Sequence, residues 1–148
     1  MNRSLSIRVL RTTNNPLPTY ETVDSAGMDL RAHLPKPLSL SPGERALVPT
    51  GLQLEIPSGY EGQVRPRSGM ALKRGLTVLN APGTIDADYR GDIGVILINH
   101  SLETQVVESG DRIAQLVFAP VIRAELNNAD QLRESDRNTG GFGSTGER

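Results

Sequence analysis

The stretch Asn80-Ala-Pro-Gly-Thr-Ile-Asp-Ala-Asp-Tyr-Arg-Gly-Asp92 places an amide, a tight Pro-Gly bend, carboxylates, a phenol ring and a guanidinium close together. Each group suits a distinct task. Asn80 can read a hydrogen-bonding edge, since its amide both donates and accepts. Tyr89 can pack on a flat group, and Asp86 can accept a proton. The apolar runs Gly75–Leu79 and Ile93–Ile98 flank this stretch, so a polar connection joining two strands is expected. A second group is Arg67-Ser68-Gly69. The sequence places it where a short helix begins: Ser68 as cap, Gly69–Arg74 as the turns, Lys73 and Arg74 at the negative end, and Gly75 as the stop. Free backbone N–H groups at such a start favour an anion, and Arg67 adds a fork of donors. The same residues also suit an ordinary cap beside a solvated arginine.

The C-terminal stretch carries a third group. Gly141-Phe-Gly-Ser-Thr-Gly146 has the G-x-G-x-x-G spacing of dinucleotide-binding folds. No strand pattern precedes it and no helix pattern follows it, so that fold is rejected. Glycine-rich backbone with Ser144 and Thr145 can still wrap phosphates through its N–H groups. Phe142 is one of few aromatic residues in a chain with three Tyr, two Phe and no Trp, and it is expected to dock on its own protein or on a neighbour.

Other chemistries are excluded. Asp86, Asp88 and Asp92 match part of a calcium loop, but Arg90 and Leu97 stand at ligand positions. His33 and His100 are isolated, and the chain has no Cys, which removes disulfides and thiolate metal sites. There is no P-loop motif and no locally supported Ser-His-Asp arrangement. A formal net charge of -1 argues against coating nucleic acid by bulk electrostatics. No apolar run approaches a membrane span, and no signal peptide is evident at Met1, so a cytoplasmic protein is expected. Arginine far outnumbers lysine, which fits either genomic base composition or phosphate recognition.

The elements that must position these groups are mostly strands. Leu5, Ile7 and Val9 alternate with polar residues, as do Leu52, Leu54 and Ile56, and Arg112–Phe118 forms another run ended by Pro120. Short strands punctuated by glycine and proline predict an all-β fold, a jelly-roll-like sandwich or barrel with one short helix. The 148 residues suit one β domain over 1–130, with a polar, glycine-rich C-terminal arm over 131–148.

Five segments in order resemble the trimeric deoxyuridine triphosphatase (dUTPase) family: Ala26–Ala32, Pro66–Ala71, Asn80–Asn99, Gly110–Phe118 and Arg137–Gly146. The resemblance implies a homotrimer with three shared sites. The second and fourth segments come from one subunit, the third from another and the tail from the third. It implies hydrolysis of dUTP to dUMP and pyrophosphate, with Asp86 as general base. Asn80 and the backbone of Gly83, Thr84 and Ile85 would read uracil, and Tyr89 would lie under the deoxyribose. Arg67, Ser68, Gly69 and Gln115 would hold phosphates. A Mg2+ ion would bridge the triphosphate, with Asp29 reaching it through water. Phe142 would stack on uracil while Arg137, Gly143, Ser144 and Thr145 close the site. Partners other than dUTP and copies of the chain, nucleic acid and membrane among them, are not implied. The related dCTP deaminases carry a glutamate where Ile96 stands, which disfavours deamination. A nucleotide-binding protein without turnover is the remaining alternative, and it would have no need of Asp86.

Overall fold

Alternating apolar residues build two facing sheets. The computed structural model describes residues 4–142. Strands β1 (Arg8–Arg11), β4 (Arg45–Glu55), β8 (Asp92–Asn99) and β6 (Leu76–Val78) form one sheet in the order β1-β4-β8-β6. Strands β2 (Met28–Arg31), β10 (Arg112–Pro120), β5 (Tyr60–Arg65) and β7 (Gly83–Ile85) form the second in the order β2-β10-β5-β7. A two-stranded ribbon pairs β3 (Leu38–Leu40) with β9 (Gln105–Val107). All the pairings are antiparallel. The inner faces meet in one core. Leu52, Leu54, Val48, Val95 and Leu97 come from the first sheet, and Leu30, Val64, Ile85, Ala114 and Leu116 from the second. This is the jelly-roll-like β-sandwich that the strand pattern predicts. Its period-2 burial reads out the alternation in β4 and β8, whereas β10 buries residues on both of its faces.

Two local expectations need correction. The N-terminal alternation predicts a strand through Leu5 and Ile7, but β1 begins at Arg8 and all four of its residues are exposed. β1 pairs only with β4, so it is an edge strand without a covering layer among the described residues. The short helix α1 (Ser68–Arg74) starts one residue earlier than expected. Its N-cap is Arg67, in extended conformation and without a side-chain cap bond, so Ser68 is the first helical residue rather than the cap. The Arg67 side chain is drawn away to Asp29 instead. The far end behaves as the sequence predicts. Gly75 adopts a left-handed φ of 64° and its N–H bonds the Ala71 carbonyl at 3.1 Å.

The Asn80–Asp92 connection is more than a turn between two strands of one sheet. The chain leaves β6 in the first sheet, passes the cis Ala81–Pro82 bond, and pairs as β7 with β5 in the second. It then returns to the first sheet as β8. At the far end of β8, Asn99 is fully buried and acts as a clamp. Its Nδ2 donates to the Leu40 and Glu103 carbonyls at 2.9 and 2.8 Å, and its Oδ1 accepts from Ser101 N and Oγ at 2.9 and 2.7 Å. Replacing it strands several buried groups at once. Asn99→Ala is expected to destabilise the fold by about 2–4 kcal/mol, given roughly 1–3 kcal/mol per unsatisfied buried group. Urea unfolding checks this, and a midpoint equal to that of the parent chain would contradict the clamp.

Candidate active site

The polar connection between β6 and β8 lines a groove of about 270 Å³. Asn80, Gly83, Thr84, Ile85, Asp86 and Tyr89 all face it, so the structure brings together every residue of this segment singled out from the sequence. Leu47 from β4 and Ile96 from β8 add an apolar wall. The backbone of Gly83–Ile85 is fixed by pairing with Val64, Gln63 and Gly62 on β5. A Cβ at Gly83 would stand 3.2 Å from Asn80 Nδ2, so the amide lies against the bare glycine backbone.

Asp86 sits on the rim of this groove. A second, wider groove of about 810 Å³ shares Thr84 and Asp86 with it and is lined on its far side by Tyr60, Arg90 and Arg123. The Asp86 carboxylate is exposed and makes no hydrogen bond or ion pair among the described residues. Its backbone carbonyl accepts from Tyr89 N at 3.1 Å, which closes a turn. Arg90 Nη1 staples that turn by donating to the Ala87 and Tyr89 carbonyls at 2.7 and 3.1 Å. The turn therefore presents the carboxylate outward with its acceptor capacity unspent.

A second cluster gathers on β2, β10 and the start of α1. Asp29 stands opposite Gln115, and Gln115 stands opposite Arg65. Asp29 Oδ1 meets Arg67 Nε at 2.8 Å, and Oδ2 meets Arg112 Nη1 at 3.3 Å. Arg67 Nη1 also donates to the Arg112 carbonyl at 3.2 Å. Gln115 Nε2 donates to the Pro66 carbonyl at 2.9 Å, which anchors the entry to α1. Ser68 and Gly69 are exposed at the first turn, where their N–H groups precede the intrahelical ladder. None of Arg67, Ser68, Gly69 or Gln115 lines the groove that holds Asn80 and Asp86. Within one chain the two clusters therefore stand apart.

The C-terminal residues join neither half. From Val121 to Phe142 the chain forms no strand or helix. Arg137 Nε bonds the Gly140 carbonyl at 2.7 Å, and Phe142, at a φ of 50°, is fully exposed. It therefore does not dock on its own chain. Gly143, Ser144 and Thr145 lie outside the described residues.

The sequence reading missed several participants. Arg112 is a partner of Asp29, and Gly27 packs under Gln115. Asp92 and Gly91 support Tyr89. Arg112 lies inside the fourth resembling segment, but only the β2–β10 register reveals its target. The glycines gave no signal, because their role is to leave space.

Donor chemistry limits what metal can bind. Among the described residues, no three His, Cys, Asp or Glu side chains converge on a cation position. Asp29 has both oxygens engaged by guanidinium groups. A carboxylate offers about four lone-pair positions, so acceptor capacity for water remains. The Asp29 carboxylate suits a hydrated Mg2+ met through water, since Mg2+ usually keeps several of its waters.

The dUTPase family model matches residues 13–146. The chain belongs to the dUTPase family. It is 62% identical over 130 residues to the deoxyuridine 5'-triphosphate nucleotidohydrolase of Anaeromyxobacter sp. strain Fw109-5, covering 88% of this chain and 87% of that protein. A mutant dUTPase of Staphylococcus bacteriophage 80alpha, solved with dUpNHpp, superposes with a TM-score of 0.82 at 27% identity, over 95% of this chain and 98% of the other. A mutant dUTPase from phage phi11 of S. aureus, described with a structural Mg(II) ion, shares the fold with a TM-score of 0.78 at 24% identity, over 87% and 99% of the two chains. No helix among the described residues is long and apolar enough to cross a membrane.

Gly27 offers a structural test of the second cluster. A Cβ there would collide with Gln115 Oε1 and lie 3.2 Å from its Cδ. Gly27→Ala is expected to push the carboxamide off the Pro66 carbonyl and to lower the unfolding free energy by about 1 kcal/mol, the net worth of one hydrogen bond. A crystal structure of the variant with the Gln115–Pro66 bond intact would show that this packing does not hold Gln115.

Proposed function

We propose that this dUTPase-family enzyme hydrolyses dUTP to dUMP and pyrophosphate, removing dUTP from the nucleotide pool and supplying dUMP, with Asp86 as general base. The observation that carries the reading is the Asp86 carboxylate: exposed, unpaired among the described residues, and on the rim of the groove that holds Asn80 and Tyr89. Asp86 takes a proton from a water whose oxygen attacks the α-phosphorus. The bond from that phosphorus to the bridging oxygen breaks, and pyrophosphate leaves. A positioned base of this kind contributes on the order of 10²–10⁴-fold. The rest is orientation and charge stabilisation.

Recognition follows from the same residues. Asn80 and the backbone of Gly83, Thr84 and Ile85 pair with the uracil edge. Cytosine reverses donors and acceptors there and leaves buried groups unpaired, at roughly 1–3 kcal/mol each. Backbone close to C5 excludes thymine. The Tyr89 ring lies under the deoxyribose and leaves no room for a 2′-hydroxyl. Ile96 gives the groove an apolar wall where a deaminase would need an acid.

Arg67, Ser68, Gly69 and Gln115 hold the phosphates. Asp29 would hold a hydrated Mg2+ through its waters, and the ion would supply positive charge to the triphosphate. The pairing of Asp29 with Arg67 and Arg112 holds those guanidinium groups in one orientation before substrate arrives.

The active assembly is a homotrimer. Separation of the two half-sites within one chain supports this reading, because a second copy must bring the phosphate-binding residues to the uracil groove. A fully exposed Phe142 supports a third contribution. Residues 131–148 act as an arm: Phe142 stacks on uracil, and Arg137, Gly143, Ser144 and Thr145 close on the phosphates and shut out bulk water.

A nucleotide panel assayed for pyrophosphate tests the reading, with dUTP expected to dominate over dCTP, dTTP and UTP. Asp86→Asn is expected to lower kcat by about 10²–10⁴-fold while nucleotide binding persists. Parent-like kcat in that variant would remove Asp86 from the role of base. Truncation after Asp136 is expected to leave a folded trimer with little turnover. Sedimentation together with steady-state kinetics checks this, and undiminished kcat would refute the closing arm.

A further inference from the structure

Tyr89 is held at three points, and one of them is an empty space. At its root, Tyr89 N bonds the Asp86 carbonyl at 3.1 Å. At its tip, Tyr89 Oη donates to the Asp92 carbonyl at 3.0 Å. Asp92 is itself fixed, because its Oδ2 accepts from Thr50 N at 3.3 Å where the β4–β8 register shifts. Between root and tip the ring crosses Gly91. A Cβ built on Gly91 would collide with Tyr89 Oη and Cζ and would lie 3.0 Å from Cε2. The Gly91 backbone is not in the left-handed region, so no conformational demand explains the glycine. Room for the ring does.

We propose that Gly91 is a specificity-determining position: by lacking a side chain it lets the Tyr89 ring lie flat over the backbone, and that placement excludes a 2′-hydroxyl on the nucleotide sugar. The inference rests on the reading that Tyr89 floors the deoxyribose. Gly91 is a positioning residue and touches no reacting atom. The direction of the effect follows from burial. Tyr89 is 48% exposed, so a methyl group at position 91 displaces the ring toward solvent and leaves the core undisturbed. Displacement breaks the bond to the Asp92 carbonyl and shifts the surface that the sugar meets. Base recognition lies elsewhere, on Asn80 and β7, so it stays intact. Arg90 holds the turn through the Ala87 and Tyr89 carbonyls rather than through the ring, which keeps the Asp86 carboxylate in place.

The test is a substrate-discrimination series on the full-length chain and on Gly91→Ala, Tyr89→Ala and the double variant, with circular dichroism to confirm folding. Gly91→Ala is expected to lower the ratio of kcat/KM for dUTP over UTP by about tenfold or more, the range for one steric contact in a pocket. Its preference for dUTP over dCTP is expected to persist. In the Tyr89→Ala background the second substitution is expected to add nothing, since both act through one ring. An unchanged dUTP over UTP ratio in Gly91→Ala overturns the proposal. So does an equal loss for dUTP, UTP and dCTP, which marks a general structural defect, or a full additional effect in the Tyr89→Ala background. An unsubstituted chain that releases no pyrophosphate from dUTP overturns the functional reading itself. Failure there is visible before any variant is compared.

Discussion

Three backbone pairs, Gly62 with Ile85, Gln63 with Thr84 and Val64 with Gly83, carry the candidate site. They pull the middle of a polar connection out of one sheet and stitch it to the edge of the other. Without them the segment from Asn80 to Asp92 would be a long loop with many accessible conformations, and ordering it would cost about 1–2 kcal/mol per residue. With them, the N–H and C=O groups of β7 have fixed directions, and Asn80 and Asp86 flank a rigid strand. A buried Ile85 anchors the strand from below. A backbone edge could discriminate bases only if it did not yield, and this pairing holds it fixed.

Electrostatics in the cluster around Asp29 follow a different logic. Asp29 lies between two guanidinium groups with 21% of its side chain exposed, and Arg67 is similarly covered. A pair covered this far trades its attraction against the hydration both groups lose, so it is weak evidence for stability. Its value lies in geometry. Arg67 alone would be a flexible cation, whereas tied through Nε to Asp29 and through Nη1 to the Arg112 carbonyl it is a positioned one. Two arginines against one carboxylate also leave a local positive excess on a chain of net charge -1. The overall charge says nothing of this patch, because it averages over the surface.

The sequence made the sandwich legible wherever burial alternates. Leu52, Leu54 and Ile56, or Ile93, Val95 and Leu97, announce their inner face through spacing alone. The residue types in the Asn80–Asp92 segment announced chemistry for the same reason, since polar groups so dense have no core to fill. What stayed hidden depends on contacts distant in sequence. Gly83-Thr84-Ile85 has no strand signature of its own, and its partner on β5 is visible only in three dimensions. Arg67 reads as a free anion ligand beside a capping serine. The structure instead engages it with Asp29 and makes Arg67, not Ser68, the N-cap. Gly27 and Gly91 matter for volume they do not occupy, and a single sequence cannot record absent volume.

Asp29 and Asp86 show why residue type is insufficient to assign a role. Both are carboxylates in segments that resemble one family, and both could in principle take a proton or approach a cation. Their surroundings separate them. Asp29 has each oxygen committed to an arginine, so its charge is spent on orienting cations. Asp86 has no such partner among the described residues and points into solvent beside an apolar wall and the Asn80 amide. A carboxylate that must activate water needs open lone pairs and a neighbouring substrate pocket, and only Asp86 has both. A carboxylate that orients two arginines needs the opposite, a fixed first contact on each oxygen, and its remaining lone pairs stay open to water. The fold supplies the two environments by placing one acid on a strand flanked by basic residues and the other on a tight turn stapled from behind by Arg90.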